Sequence, residues 1–137
     1  MSKSIAILIP CFNEAIAIGS VIAEFKDVIP EAVIYVYDNN SMDATYQIAK
    51  DCGVVVRREY RQGKGNVIRR MFADIDADIY LLVDGDGTYD AKSSRKLINA
   101  VYEGPYDLVN ARRVEGHADN YRCGHRLGNL MLTGLVS

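Results

Sequence analysis

The chain has 137 residues, 49% hydrophobic and 25% charged, with a formal net charge of −2. That length carries one ordinary domain with a real core, and the charge balance excludes a general nucleic-acid binder built on a basic groove. Cys11, Cys52 and Cys123 are odd in number and irregular in spacing, which excludes a disulfide framework or a zinc knuckle and fits a reducing compartment.

Residues 5–9 are a continuous apolar run followed by Pro10, the pattern of a strand covered on both faces. Pro10-Cys11-Phe12-Asn13-Glu14 then stands where a leader would need a small-residue cleavage site, so the run is not a signal segment. Asn13 is expected to cap a first helix that begins beside Glu14. Its apolar positions Ile16, Ile18, Val21, Ile22, Phe25 and Ile29 recur at helical spacing up to Pro30. Residues 33–37 alternate and end in Asp38-Asn39-Asn40-Ser41, a cluster of turn formers at the end of a second strand. Asp43 or Ser41 can cap a second helix that runs through Cys52 and is stopped by Gly53, and residues 54–57 form a third strand.

Arg61-Gln62-Gly63-Lys64-Gly65-Asn66 opens a third helix with Val67, Ile68, Met71, Phe72 and Ile75 as its apolar positions. A lysine at a helix N-terminus suits an anion. The loop is not a P-loop, because glycine follows Lys64, and it lacks the third glycine of the dinucleotide fingerprint. Alone, it reads more readily as a turn that caps a helix. Asp74, Asp76 and Asp78 read as a solvated helix end.

Residues 79–83 are a buried strand running straight into Asp84-Gly85-Asp86-Gly87. Two acids separated by a glycine suit Mg²⁺, a hard ion that one or two carboxylates hold while substrate phosphates complete its shell. Spacing alone leaves a solvated turn as an equal alternative. A calcium loop is a poorer option, because Tyr89 and Arg95 occupy its glycine and glutamate positions.

A helix over about 91–102 buries Leu97, Ile98 and Val101 and stops at Gly104-Pro105. Residues 107–111 make a fifth strand ending in Arg112-Arg113. From Leu127 to Val136 the pattern is that of an amphipathic helix. It is expected to pack on the core, or to meet a membrane surface or a second copy through residues 124–137. Tyr35, Tyr37, Tyr80, Tyr89, Tyr102 and Tyr106 read as core or rim packing, and His117 and His125 as loop residues without ligand spacing. No apolar run reaches the ~20 residues of a membrane span. The fold class is α/β, a mainly parallel sheet with flanking helices, with ligands expected outside the carboxyl ends of the strands.

The ordered set of motifs resembles the family 2 glycosyltransferases of the GT-A fold. Residues 9–14 look like that family's opening nucleotide loop, 38–45 like its base-contacting segment, and 61–66 like its Lys-Gly loop. Asp84-Gly85-Asp86 looks like its DXD motif, and Asn110-Ala111-Arg112 like the short segment ending in arginine. Within the family, the similarity is greatest to the dolichol-phosphate mannose synthase-like branch, and it extends into 126–137.

The resemblance implies a Rossmann-like nucleotide-sugar domain over residues 1–137, its nucleotide-binding half at about 1–113 and the start of an acceptor-side segment at 114–137, with the natural domain continuing past Ser137. It implies that Pro10, Phe12, Asn13 and Glu14 line the nucleotide, that Asp38 and Asn40 belong to the base contact, and that Lys64 and Gly85 meet the donor. Asp84 would meet ribose or metal, Asp86 would ligate Mg²⁺ or Mn²⁺, and Thr88 stands where some relatives carry another metal ligand. Asp86 and Arg112 would be catalytic, Arg112 by approaching the diphosphate or an acceptor phosphate. The implied reaction is metal-dependent transfer of a hexose from a UDP- or GDP-sugar to a polyprenyl phosphate. Transfer to a saccharide or protein hydroxyl and a non-catalytic nucleotide-sugar-binding module are the alternatives. The implied location is cytoplasmic, peripheral at the membrane face, with no nucleic-acid partner.

Overall fold

A computed structural model describes residues 3–87 and 90–103 in full, and the backbone of 108–113, 121–123 and 130–134. The first strand, β1 (Ile5–Cys11), is entirely buried, and its alternate residues face two separate cores. Ile5, Ile7, Ile9 and Cys11 meet helices α1 (Ile18–Val28) and α4 (Ala91–Glu103), whereas Ala6 and Leu8 meet Val67 and Met71 of helix α3 (Lys64–Asp74). A strand sandwiched this way must be apolar at every position, which is why it reads as an unbroken run. Each fully covered Ile or Leu contributes about 1.5–3 kcal/mol of burial.

Strand β2 (Val33–Asp38) lies parallel to β1 on one side, with Cys11 level with Asp38, and β3 (Val55–Arg58) lies parallel beyond it. Strand β4 (Ile79–Leu82) pairs parallel on the other side of β1, Leu8 level with Leu82. The chain steps outward from β1 to β2 to β3 and then crosses back to β4. The crevice between β1 and β4 is therefore the topological switch point where α/β sheets collect ligands.

Beyond β4 the sheet turns antiparallel. Strand β5 (Leu108–Arg113), strand β6 (Tyr121–Cys123) and strand β7 (Leu130–Gly134) complete the order β3-β2-β1-β4-β7-β5-β6. Here the expected amphipathic helix over 127–136 is corrected: Leu130–Gly134 is a strand, antiparallel to both β4 and β5. Three of its five residues, Leu130-Met131-Leu132, form a short apolar run that periodicity cannot assign, and the paired edges of β4 and β5 decide it. The rest of 124–137, expected to meet a membrane surface or a second copy, lies outside the described residues.

Two further boundaries differ from expectation. The first helix starts at Ile18 rather than beside Glu14, and Asn13 does not cap it. Asn13 adopts φ 55 and turns its side chain to the next loop, while the Ala17 and Ile18 N–H groups bond the Glu14 carbonyl. Strand β1 continues through Pro10 to Cys11, because β2 still pairs with it there. Helix α2 (Thr45–Asp51) ends as expected, with Gly53 in the left-handed region at φ +80. Tyr37 and Tyr80 are core residues; the Tyr37 hydroxyl donates to Asp74 at 2.8 Å, so Asp74 is more than a solvated helix end. Thr88, Tyr89, Tyr106, His117 and His125 lie outside the described residues.

Candidate donor-binding cleft

The ends of β1 and β4, the turn after β2 and the start of α3 enclose a cleft of about 320 Å³. Of the residues expected there, Pro10, Phe12, Glu14, Lys64, Asp84, Gly85 and Asp86 line it. Cys11, Asn39, Gln62 and Gly63, which belong to the motif segments without an individual role, join them, as does Val67, expected only as an apolar helix position.

Glycine at 85 has a specific cause. A Cβ there would lie 2.6 Å from the Cys11 Sγ, with Ile9 and Ile18 at 3.4 Å. The two strand ends can approach this closely only without a side chain at 85. The tight contact carries Asp84 and Asp86, on either side of Gly85, to the cleft wall. Burial, with Glu14 and Asp38 the first of four nearby carboxylates, pushes the Cys11 thiol strongly up, so Cys11 is an inert packing group.

Lys64, the first residue of α3, forms an ion pair with Asp84. On the opposite wall, burial and then the carboxylates of Asp86, Asp84 and Asp43 push the Glu14 carboxyl above its ordinary value. Three acids thus face one small space with a lysine at its margin, a field that a divalent cation relieves. Asp84 and Asp86 are hard oxygen donors that fit Mg²⁺ or Mn²⁺. Among the described residues no three His, Cys, Asp or Glu side chains form a metal cage.

The turn after β2 divides its labour differently from expectation. Asp38 is buried and its two carboxylate oxygens accept the Ser41 N–H, at 3.0 Å, and the Ser41 hydroxyl. It does not line the cleft; its neighbour Asn39 does. The Asn39 amide donates to the carbonyls of Glu59 and Arg61 and accepts from the Gly63 N–H at 2.8 Å, tying β2 to the loop that presents Lys64. Asn40, at φ 65, donates to the Tyr60 carbonyl and the Gln62 side chain and likewise stays outside the lining. A signal for Asn39 existed in the Asp38-Asn39-Asn40-Ser41 cluster, because a buried Asn can satisfy loop backbone as donor and acceptor together.

Arg112 is located by backbone register. Leu82 pairs with Met131 and Met131 with Asn110, so Arg112 stands as far past Asn110 as Asp84 stands past Leu82. Two strand spacings, roughly 10 Å, separate them along the same sheet edge.

The profile of the family described as "Glycosyl transferase family 2" matches residues 6–134. The chain belongs to glycosyltransferase family 2. Among similar proteins is Protein RfbJ of Shigella flexneri, 53% identical over 126 residues that make up 91% of this chain and 98% of RfbJ. Glycosyltransferase AglJ of Haloferax volcanii is 32% identical over 94% of this chain and 43% of its own length. The Dolichyl-phosphate hexose transferase of the same organism is 28% identical over 97% and 58%. The crystal structure of glucosyl-3-phosphoglycerate synthase from Mycobacterium tuberculosis in complex with Mn²⁺, UDP and phosphoglyceric acid matches the fold with a TM-score of 0.74. Its identity is 23%, over 84% of this chain and 44% of that one. The family 2 chain thus spans about half the length of the last three proteins. Among the described residues no helix is long and apolar enough to cross a membrane.

Proposed function

We propose that this chain binds a UDP- or GDP-hexose with Mg²⁺ or Mn²⁺ and transfers the hexose to a polyprenyl phosphate. The observation that carries the reading is the convergence of Asp84, Asp86, Glu14 and Lys64 in one cleft at the β1/β4 switch point. Two similar proteins support it: one relative is named a dolichyl-phosphate hexose transferase, and a protein of the same fold was crystallised with Mn²⁺, UDP and phosphoglyceric acid.

In this mechanism Asp84 and Asp86 would hold the cation, which when bound would supply positive charge to offset that of the diphosphate. Phe12 and Asn39 bound the nucleotide end of the cleft. The acceptor phosphate oxygen bonds to the anomeric carbon as the bond from that carbon to the diphosphate breaks, and the electron pair leaves with the nucleoside diphosphate. Lys64 releases Asp84 and meets the departing oxygens, stabilising charge where it develops. Arg112, level with Asp84 on the same edge, receives the acceptor phosphate. A phosphate acceptor is already ionised, so no general base is required.

The test is calorimetric titration of UDP-glucose and GDP-mannose with and without Mn²⁺, followed by transfer to a short-chain polyprenyl phosphate. Binding should require metal and vanish in Asp86→Ala. Undiminished binding by that variant, or without metal, would overturn the reading. A second reading, a nucleotide-sugar-binding module, rests on the same cleft. It predicts metal-dependent binding with no transfer to lipid-phosphate or sugar acceptors.

A further inference from the structure

Three consecutive backbone N–H groups of the loop after β1 are each held by a different short side chain from the turn after β2. Asn13 donates to the Ser41 Oγ at 2.8 Å, Glu14 to the Thr45 Oγ1 at 2.8 Å, and Ala15 to the Asp43 Oδ2 at 3.2 Å. The turn returns one bond, from the Met42 N–H to the Asn13 Oδ1 at 2.7 Å. The acceptors are themselves fixed. The Ser41 hydroxyl donates to Asp38, and the Thr45 hydroxyl donates to Asp43, whose same oxygen takes the Thr45 N–H at 3.0 Å. A hydroxyl that gives its one hydrogen to a carboxylate has only lone pairs left to offer. Each is therefore set as an acceptor for a loop amide, and the chain of bonds strengthens every member. Thr45 and Asp38 are buried at 0% and 2% exposure, which keeps water from competing.

The loop needs this support. Its residues lie past the last β1 pair at Cys11, so the amides of 13–15 have no ladder to join. Yet it presents Phe12 and Glu14 to the cleft, while Ser41, Asp43 and Thr45 do not line it. We infer that Ser41, Asp43 and Thr45 are positioning residues, a three-point clamp that orients the loop for nucleotide-sugar binding without touching the donor. The inference rests on the nucleotide-sugar reading of the cleft. It gives these three residues a task distinct from the base contact that the resemblance implies for their segment.

The decisive comparison is Thr45→Val with Thr45→Ser in the full chain. Three quantities are measured: residue-resolved amide exchange, nucleotide affinity with Mn²⁺, and the urea midpoint. Thr45→Val should speed exchange at Glu14 and weaken UDP-sugar or GDP-sugar binding about tenfold, the usual weight of one buried hydrogen bond. Thr45→Ser, which keeps the hydroxyl, should restore both. Ile98→Val in α4 is the control: it lowers the midpoint but should leave loop exchange and affinity alone. If Thr45→Val does not fold, Ser41→Ala reads the same effects at the Asn13 amide. Nucleotide affinity unchanged in Thr45→Val, or equally weakened by Ile98→Val, overturns the clamp alone. A wild-type chain that binds no nucleotide overturns the parent reading, and the positioning role with it.

Discussion

Lys64, at the first position of α3, is ion-paired with Asp84, two residues beyond the end of β4. In the proposed reading the pair joins the helix start that would meet the diphosphate to a carboxylate that would hold metal, so both tasks share one contact. Lys64 is more than half exposed, and an exposed pair of this kind adds little to stability. Lys64→Met should therefore shift the urea midpoint by less than about 0.5 kcal/mol equivalent. It should also weaken nucleoside-diphosphate binding by roughly 10- to 100-fold, the worth of a charge-assisted contact. In the absence of nucleotide the same variant should bind Mn²⁺ more tightly, measured by electron paramagnetic resonance, because the competing ammonium is gone. Weaker metal binding would contradict the shared contact.

Gly85 and Cys11 make a prediction about stability. Gly85→Ala puts a methyl group 2.6 Å from the Cys11 Sγ, an overpacking that costs about 1–3 kcal/mol. Cys11→Ala should recover a good part of that loss in the double variant. Independent, additive effects on the urea midpoint would show that the contact is not what excludes a side chain at 85.

The Glu14 carboxyl is raised by burial and then by Asp86, Asp84 and Asp43. The folded state therefore holds this proton more tightly than the unfolded chain. The stability it contributes is complete below the ordinary glutamate value and is lost as pH rises through the raised one. Glu14→Gln should make the protein slightly more stable than wild type at pH 7, by under about 1 kcal/mol because the group is only partly buried. The gain should vanish in acid. Denaturation followed from pH 4 to 8 gives the sign directly, and a gain that grew toward acid would reverse the argument.

Strand β7 is paired on both sides, Leu132 with Leu81 and with Val109. Proline removes a ladder donor and is excluded from central strands. Leu132→Pro should cost about 3 kcal/mol or more, and the loss should appear as fewer protected amides in both β4 and β5. Protection lost from only one of them would mean that Leu132 is not central.

The parallel half of the sheet was legible because its strands are short apolar runs that end in turn formers, and because Asp84, Asp86 and Lys64 fall at strand ends and helix starts. Local pattern fixes those features. Strand β7 was not legible: its apolar residues suit a helix until two distant edges are brought to it. Asn39 was passed over for Asp38 because sequence shows which residues can bond, not which bond their own turn first. The Asn13 capping role failed for a related reason. A side chain with several suitable partners takes the one that tertiary structure brings near, and here that is the Met42 amide.

The position of β7 carries a consequence for how the protein is made. Strands β3, β2, β1 and β4 can associate once residues up to 82 have left the ribosome, but β5 joins β4 only through β7, whose last residue is Gly134. During synthesis the growing chain therefore exposes the β4 edge while residues 83–129 emerge, about 2–10 s at ordinary elongation rates. In that window a free, apolar strand edge faces the cell. The edge closes only when β7 pairs with β4 on one side and β5 on the other.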